Sequence, residues 1–249
     1  MPLTPTRVLK TFRHGVSMDG VDDYVIIPDS DSLHVWGALT WMFWVNPIFN
    51  PRDYLFQVIT SKWDGDFTHE ILACGMTSWN TFYAIHRNTN GDRIYVETGK
   101  TYRSGEWCFV AVRCDLNELR IFVNMESWAV PYVGTPYPNA GPLVLGQRGD
   151  YLFWGQSAVS NLYVYNYAMS YDEIEWNYRH YDDPILNGLV LRLHADPNYV
   201  SDIDNDGRLE WLDLSGRGNH GELYGSQLVE FFGEPSRLLS PTRVLEPVR

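Results

Sequence analysis

The sequence lacks clustered basic residues, long apolar runs and an even number of cysteines, and each absence excludes a class of protein. Its 19 Lys and Arg stand against 31 Asp and Glu, which gives a formal net charge of −12. A surface that binds nucleic acid neutralises phosphates with clustered Lys and Arg, so we expect no nucleic-acid partner. No stretch reaches the roughly 18 apolar residues of a membrane span, and the N-terminal segment has no continuous apolar core typical of signal peptides. We therefore expect no membrane span, no signal peptide and synthesis in the cytoplasm.

The three cysteines predict reduced thiols rather than a disulfide. Cys108 and Cys114 lie six residues apart in WCFVAVRC, a stretch typical of a single strand. Two residues so placed on an extended strand are separated by roughly 20 Å, which is beyond the reach of a disulfide. Reduced cysteines agree with synthesis in the cytoplasm.

The residues that are abundant favour strands joined by tight turns. The chain has 16 Tyr, 10 Trp and 11 Phe together with 20 Gly and 14 Pro, a composition typical of β proteins. LTWMFWVNP, ended by Pro47, predicts a buried strand, and hairpin turns are predicted at residues 90–92 and 115–117. In SYDEIEWNYRHY, Ser170 and Glu173 form the pattern of a helical capping box. About a dozen strands and one short helix near residues 170–180 predict an all-β, two-sheet antiparallel sandwich.

Several phrases of this sequence occur together in one known group of sandwiches. They are MDGVDDYVIIPDSDSL, LTWMFWVNP, ITSKWDG, GEWCFVAVRCDLNELRIFVN, PLVLGQ and LYVYNYAMSYDEIEWNY, in that order over roughly residues 16–180. The set resembles the laminin-G-like and concanavalin A-like jelly rolls. The resemblance implies a jelly-roll fold and is much less informative about function.

The last third of the chain carries phrases that usually stand first in such domains. GLVLRLHADP and WLDLSGRGNHGELYG resemble the opening strands of family members, yet here they follow DGVDDYV, the second of them by about 190 residues. We predict a circular permutation, with residues 14–235 forming a single jelly-roll domain in which residues 184–235 supply the usually N-terminal strands. The alternative is an incomplete second copy, but half a sandwich cannot bury its apolar face alone.

The two ends of the chain repeat one phrase, LTPTRVLKTFR from Leu3 and LSPTRVLEPVR up to Arg249. A permutation that arises by tandem duplication leaves such an overlap, here within an N-terminal arm (1–13) and a C-terminal arm (236–249). Proline cannot occupy a fully paired central strand, so edge or surface positions are expected for both copies. We predict that one copy completes its own domain and the other pairs with a neighbouring subunit. The predicted assembly residues are Pro5, Arg7, Val8, Leu9, Pro241, Arg243, Val244 and Leu245.

An acidic segment, DIDNDGRLEWLD, has the spacing of a calcium-binding loop. Calcium takes several oxygen ligands on a sharply turning loop, at positions 1, 3, 5, 7 and 12 of the pattern. The predicted calcium ligands are Asp202, Asp204, Asp206, the carbonyl of Arg208, and Asp213. The alternative is a polar turn in which Asp213 belongs to the WLDLSG phrase and holds its own turn. Asp19, Asp22 and Asp23 form a second acidic group, for which turn capping is favoured over the cation that the family resemblance implies.

Aromatic side chains at or near predicted turns are candidates for stacking on sugar rings. They are Trp63, Trp79, Tyr83, Trp128, Tyr137 and Trp154. Core packing is the alternative for each of them. A retaining glycosidase needs two carboxylates about 5 Å apart, and the nearest pair, Glu173 and Glu175, falls in the predicted helix, where positions i and i+2 diverge. We therefore expect no enzymatic activity.

Three functions remain on these grounds. The first is a structural or adhesive subunit of a virion or an extracellular surface assembly, homo-oligomeric or joined to other structural subunits through its arms, with glycan binding. The second is a monomeric carbohydrate-binding module, and the third is a glycoside hydrolase.

Overall fold

The computed structural model describes residues 14–35, 37–49, 56–63, 72–148, 154–231 and 243–244, which form two antiparallel β-sheets. The first sheet has the spatial order β10 (Glu126–Pro131), β9 (Glu118–Val123), β8 (Cys108–Cys114), β3 (Leu39–Pro47), β12 (Gln156–Tyr165), β1 (His14–Asp19), β17 (Gln227–Glu230) and β18 (Arg243–Val244), and β13 (Leu189–His194) also pairs with β12. The second has the order β14 (Val200–Ser201), β15 (Glu210–Trp211), β16 (Gly221–Tyr224), β2 (Tyr24–Ile27), β11 (Leu143–Leu145), β4 (Phe56–Lys62), β5 (Leu72–Thr77), β6 (Phe82–Arg87) and β7 (Arg93–Glu97). The predicted all-β sandwich is confirmed.

The apolar run of β3 is explained by burial on both faces. Trp41 and Phe43 point into the core between the sheets. Met42 and Trp44 point the other way, into a second apolar layer on the outer face of the first sheet. Successive side chains of a strand alternate between faces, so a strand covered on both sides reads as continuously apolar.

The second apolar layer is closed by helix α1 (Tyr171–Arg179), the α-helix of the described residues. Its capping box forms as predicted, with the Ser170 side chain accepting from the backbone of Glu173 and the reverse bond also present. Tyr178 stacks on Trp44, with ring centroids 5.5 Å apart. The helix therefore covers the outer face of the first sheet. It is too short to cross a membrane, and the described residues hold no helix that could.

The C-terminal third of the chain contributes strands to both sheets. In the second sheet β16 pairs with β2, placing Leu223 opposite Val25. In the first sheet β17 pairs with β1, placing Leu228 opposite Val16. The strands of residues 189–230 therefore lie in the same sandwich as those of residues 14–165, while the circular permutation itself stays a prediction.

The first two strands along the chain do not pair with each other. The strands β1 and β2 flank the turn at Asp19–Asp23 but belong to different sheets. Gly20, at a φ of +76°, turns the chain from one sheet to the other, a conformation that glycine adopts without strain.

The C-terminal copy of the repeated phrase reaches a sheet edge. The backbone of Arg243 lies opposite Glu230, and that of Val244 lies opposite Val229. The other predicted assembly residues lie outside the described residues: Pro5, Arg7, Val8, Leu9, Pro241 and Leu245. Subunit pairing through the arms stays a prediction.

The cysteines are buried as free thiols, and Cys108 and Cys114 lie at the two ends of one strand, as predicted. Burial raises the pKa of Cys114 to about 11. Its thiol is therefore protonated and unreactive near neutral pH.

Candidate functional site

A cleft of about 310 Å³ lies on the outer face of the second sheet. We call it the aromatic cleft, and its described lining consists of Phe56, Val58, Tyr83, Ile85, Arg93, Tyr95 and Arg148. Strand alternation places these side chains there, because the intervening Phe82, Ala84 and Val96 point into the core. The cleft thus brings together residues that are distant in the sequence, from strands β4, β6 and β7 and from the segment after β11.

Three aromatic rings form one side of the aromatic cleft. Tyr83 and Tyr95 stack with centroids 6.0 Å apart, at an interplanar angle of 19°. Phe56 packs edge-on against Tyr83 at 5.2 Å. Tyr83 is only 1% exposed whereas Tyr95 is 36% exposed. Tyr95 therefore presents ring surface to solvent, and the buried Tyr83 packs behind it.

The hydroxyl of Tyr95 is fixed by an acidic neighbour on the same strand. It donates to Glu97 Oε2 at 2.6 Å. Burial, followed by the hydrogen bond to Glu97, raises the pKa of Tyr95 above its usual value. The phenol therefore stays neutral, and the bond orients its ring.

The strand pairing that places Val58 and Tyr83 in the aromatic cleft depends on a glycine. Gly75 lies opposite Val58 on one side and Tyr83 on the other. A Cβ atom at Gly75 would lie 1.9 Å from the carbonyl oxygen of Gln57. The close approach of β4 and β5 at this point therefore requires glycine.

Arginines supply positive charge at the aromatic cleft. The Arg148 guanidinium lies over the Trp63 ring, 4.4 Å from its centroid, a cation–π arrangement. Arg93 is exposed on β7, directly opposite Arg87 on β6. The described lining of the cleft contains these cations and no carboxylate.

Of the six aromatics predicted to bind sugars, Tyr83 lines this cleft. Trp63, beneath Arg148, and Tyr83 are each 1% exposed, so neither ring is open to stacking from solvent. Trp79 is 75% exposed in the turn between β5 and β6. The remaining three are half-buried away from the cleft lining, and they are Trp128, Tyr137 and Trp154. Phe56 and Tyr95 were not predicted from the sequence, because only aromatic residues at or near turns were considered. The alternation in RIYVE could have indicated Tyr95, since it places this ring on the polar face of a strand, with Arg93 and Glu97.

The predicted calcium loop brings four carboxylates together. Asp202, Asp204, Asp206 and Glu210 each offer an oxygen within 4.8 Å of the others. Backbone N–H groups brace the loop, with Gly207 donating to Asp202 Oδ2 at 3.1 Å. Asp202 Oδ1 is buried without a hydrogen-bond partner among the described groups. We call this set the acidic loop. It borders a polar cleft of about 340 Å³.

The predicted ligand set needs one correction, at Asp213. This buried carboxylate accepts backbone N–H groups from Arg192 at 3.0 Å, Ser215 at 2.8 Å and Asn219 at 3.0 Å. It holds its own turn and lies outside the acidic loop, where Glu210 occupies the ninth loop position instead. The Arg208 side chain turns to the Tyr224 ring, 4.4 Å from its centroid.

The second acidic group forms a capped turn. Asp19 Oδ1 accepts from the backbone of Val21 at 2.7 Å and Asp22 at 3.2 Å, and Asp23 Oδ2 accepts from Asp19 N at 3.1 Å. Burial and the neighbouring Asp19 charge raise the pKa of Asp23 to about 6. These bonds support the turn-capping interpretation.

Several solved structures share the fold of this chain. A Bacteroides ovatus protein assigned to carbohydrate binding aligns with a TM-score of 0.66 at 13% identity, over 90% of this chain and 62% of that one. The CBM40 domain of a Ruminococcus gnavus sialidase gives 0.53 at 13% identity, over 65% and 95% of the two chains. A Trypanosoma rangeli sialidase gives 0.55 at 13% identity, over 70% of this chain and 29% of the enzyme. This chain thus spans less than two thirds of the Bacteroides ovatus protein, and identities this low show the fold alone.

The family of this chain is identified by a match between its sequence and a family model. The sequence matches no curated protein. Residues 19–175, more than half of the chain, match the family model of the concanavalin A-like lectin/glucanases superfamily. With the lectin-like sandwich described above, this match establishes that the chain belongs to the concanavalin A-like lectin/glucanase superfamily.

Proposed function

We propose that this protein is a non-catalytic carbohydrate-binding protein and that the aromatic cleft is its glycan site. The observation that carries the proposal is the ring cluster of Phe56, Tyr83 and Tyr95 on the outer face of the second sheet. Sugar rings have apolar faces that stack on such surfaces, while polar groups at the edge fix their orientation. The carbohydrate-binding assignments of the Bacteroides ovatus protein and the Ruminococcus gnavus domain support the same class.

The size and rigidity of the aromatic cleft suit a small glycan. Its volume of about 310 Å³ is at the lower end for small-molecule sites, which range from roughly 300 to 1,000 Å³. Its three aromatic rings belong to paired strands, whose backbone is already ordered, so little conformational entropy is lost when a ligand binds. One or two sugar residues of a longer chain are the expected occupants.

The chemistry of the lining favours binding over hydrolysis. Glycoside cleavage needs a carboxylic acid and a second carboxylate on either side of the bond. The described lining supplies arginines in place of such a pair. The nearby Glu97 is engaged by the hydroxyls of Tyr95 and Thr81.

A glycan array of the full chain tests this function. We expect binding to a restricted set of glycans, with no release of reducing sugar from those glycans on prolonged incubation. Failure to bind any printed glycan would contradict the proposal. Turnover of a bound glycan would support the hydrolase alternative instead.

We also propose calcium as the ligand of the acidic loop. Four carboxylates within 4.8 Å repel one another unless a cation lies between them, and carboxylate oxygens are the ligands that calcium prefers. Calcium should raise the melting temperature, and a chelator should reverse the rise. Asp204→Ala should abolish this response, whereas Asp31→Asn, an exposed acidic residue outside the loop, should keep it. An unchanged response to the chelator would dispose of the site.

We also propose a more specific biological role, as a structural or adhesive subunit of a virion or an extracellular surface assembly. Its support is the phrase repeated at both ends, together with the pairing of Arg243–Val244 along the β17 edge. A second copy of the phrase suits the same kind of edge on a neighbouring subunit.

Light scattering tests the assembly role. We expect the full chain to form oligomers, and deletion of residues 1–13 to leave a folded monomer that still binds glycan. A full chain that is monomeric at every concentration would instead favour the monomeric carbohydrate-binding module.

A further inference from the structure

We propose that His86 makes the aromatic cleft acid-sensitive, so that a glycan bound at neutral pH is released as the pH falls. The inference rests on the proposed function and adds the regulation of that same site. It begins with the position of His86 on strand β6. His86 is 0% exposed and points into the core, because side chains alternate along a strand and its neighbour Ile85 lines the cleft.

His86 lies directly behind the aromatic cleft. The pairing of β6 with β7 places Ile85 opposite Tyr95 and His86 opposite Ile94. Ile85 and Tyr95 both line the cleft, so the strand pair that positions them also encloses His86. Movement of His86 out of the core would therefore displace residues that contact the glycan.

The hydrogen bonding of His86 suits a neutral imidazole. Its Nδ1 atom lies 2.9 Å from the hydroxyl of Tyr132, and that hydroxyl is also 3.4 Å from the carbonyl oxygen of Arg87. Its Nε2 atom is buried without a hydrogen-bond partner among the described residues. An imidazolium has two N–H donors, so a proton added to His86 would create a buried charge with one N–H group unbonded.

The elements packed around His86 present neutral groups to it. Leu72 lies opposite it on β5 and Ile94 lies opposite it on β7, and the core side of β9 is apolar. The titratable groups on this side are the Tyr132 phenol and the nearby Cys114 thiol, and burial raises the pKa of both. Burial in these surroundings lowers the pKa of His86 to about 4.

Protonation therefore favours an open form of strands β6 and β7. When these strands separate and His86 reaches water, its pKa returns to about 6.5. The open form takes up a proton between about pH 6.5 and pH 4, so the closed form loses stability as the pH falls through that range. Among the described residues β7 pairs with β6 alone, and elements with few partners open locally at low cost.

Glycan affinity at two pH values tests the inference. The probe is the tightest uncharged glycan from the array, titrated calorimetrically at pH 7.5 and pH 4.5. We expect the affinity of the native chain to fall by about threefold or more at pH 4.5, as the open form becomes populated. His86→Gln removes the titrating ring and should bind equally at both pH values. His180→Gln, at an exposed histidine after α1, is the control and should lose affinity in acid as the native chain does.

Hydrogen exchange of the native chain tests the opening itself and does not depend on a variant that folds. At pH 4.5 the opening constant of β6 and β7, corrected for the intrinsic exchange rate, should be on the order of 50-fold higher than at pH 7.5. The amides of β8 and β9 should change much less. Saturating glycan should suppress the opening, because a ligand of the closed form opposes the proton that favours the open one.

The outcomes distinguish the inference from the proposed function. Equal affinity of the native chain at the two pH values, or an acid-induced loss that persists in folded His86→Gln, would overturn the inference and leave glycan binding intact. Equal loss of exchange protection across both sheets would also overturn it, because the acid would then act on the whole fold. Absence of binding to every printed glycan at pH 7.5 would overturn the proposed function as well.

Discussion

Replacing Asp213 with alanine should lower the free energy of unfolding by about 3 kcal/mol, because it leaves buried backbone donors without an acceptor. The carboxylate accepts the N–H groups of Arg192, Ser215 and Asn219, and Ser215 Oγ donates to it at 2.7 Å. These bonds join β13 to the loop before β16. For a chain of this size we expect the melting temperature to fall by roughly 6–12 °C.

The same substitution separates a structural carboxylate from a metal ligand. Asp213→Ala should destabilise the protein equally with calcium and with a chelator, because the lost bonds do not involve the acidic loop. Asp204→Ala is the matched variant and should change stability only when calcium is present. If Asp213→Ala destabilised the protein only in calcium, Asp213 would return to the ligand set.

Replacing Tyr95 with alanine should weaken glycan binding by about tenfold or more, as truncation of a central aromatic contact does. Tyr95 is the exposed member of the stacked pair with Tyr83, so its ring is the surface on which a sugar lies. Tyr95→Phe keeps the ring and should keep most of the affinity. Isothermal titration with the tightest glycan from the array measures each variant.

Trp79→Ala is the control variant, for which we expect no loss of glycan affinity. Trp79 is the more exposed ring, at 75% against 36% for Tyr95, but it lies in a turn outside the cleft lining. Its removal should leave the affinity unchanged. Loss of binding in Trp79→Ala with full binding in Tyr95→Ala would move the site to the turn and contradict the account.

The features predicted correctly from sequence are those set by neighbours along the chain. The capping box at Ser170 depends on four consecutive residues, and the β8–β9 hairpin depends on a short turn at Leu116, where φ is +73°. The apolar run of β3 predicted a buried strand because burial on both faces leaves no alternation. Each of these is decided within about ten residues.

Sequence spacing predicted some residues of the acidic loop correctly and others not. Asp202, Asp204 and Asp206 lie on one short loop, so their spacing along the chain is enough to bring the three carboxylates together. The predicted ligand at the twelfth position, Asp213, lies elsewhere because strand β15 begins at Glu210 and leads the chain out of the loop. The Asp213 carboxylate instead accepts backbone hydrogen bonds in its own turn. Glu210 at the ninth position could have been found from the same pattern.

The aromatic cleft could not be assembled from the sequence. Phe56, Tyr83, Tyr95 and Arg148 meet because β4, β6 and β7 lie near one another in the second sheet. That order depends on long-range strand pairing, which no local pattern specifies. Tyr83 was predicted from its nearness to a turn, and it is indeed the second residue of β6, but the turn does not indicate which other residues line the cleft with it.

The location of a bound glycan tests the central claim most directly. Amide NMR spectra of the labelled protein would be recorded as the tightest glycan from the array is added. We predict that the largest shift changes fall on β6 and β7 between Tyr83 and Tyr95, with little change at the acidic loop. Largest changes at Asp202–Glu210 or in the turn at Trp79, with β7 unaffected, would contradict the assignment of the aromatic cleft as the glycan site.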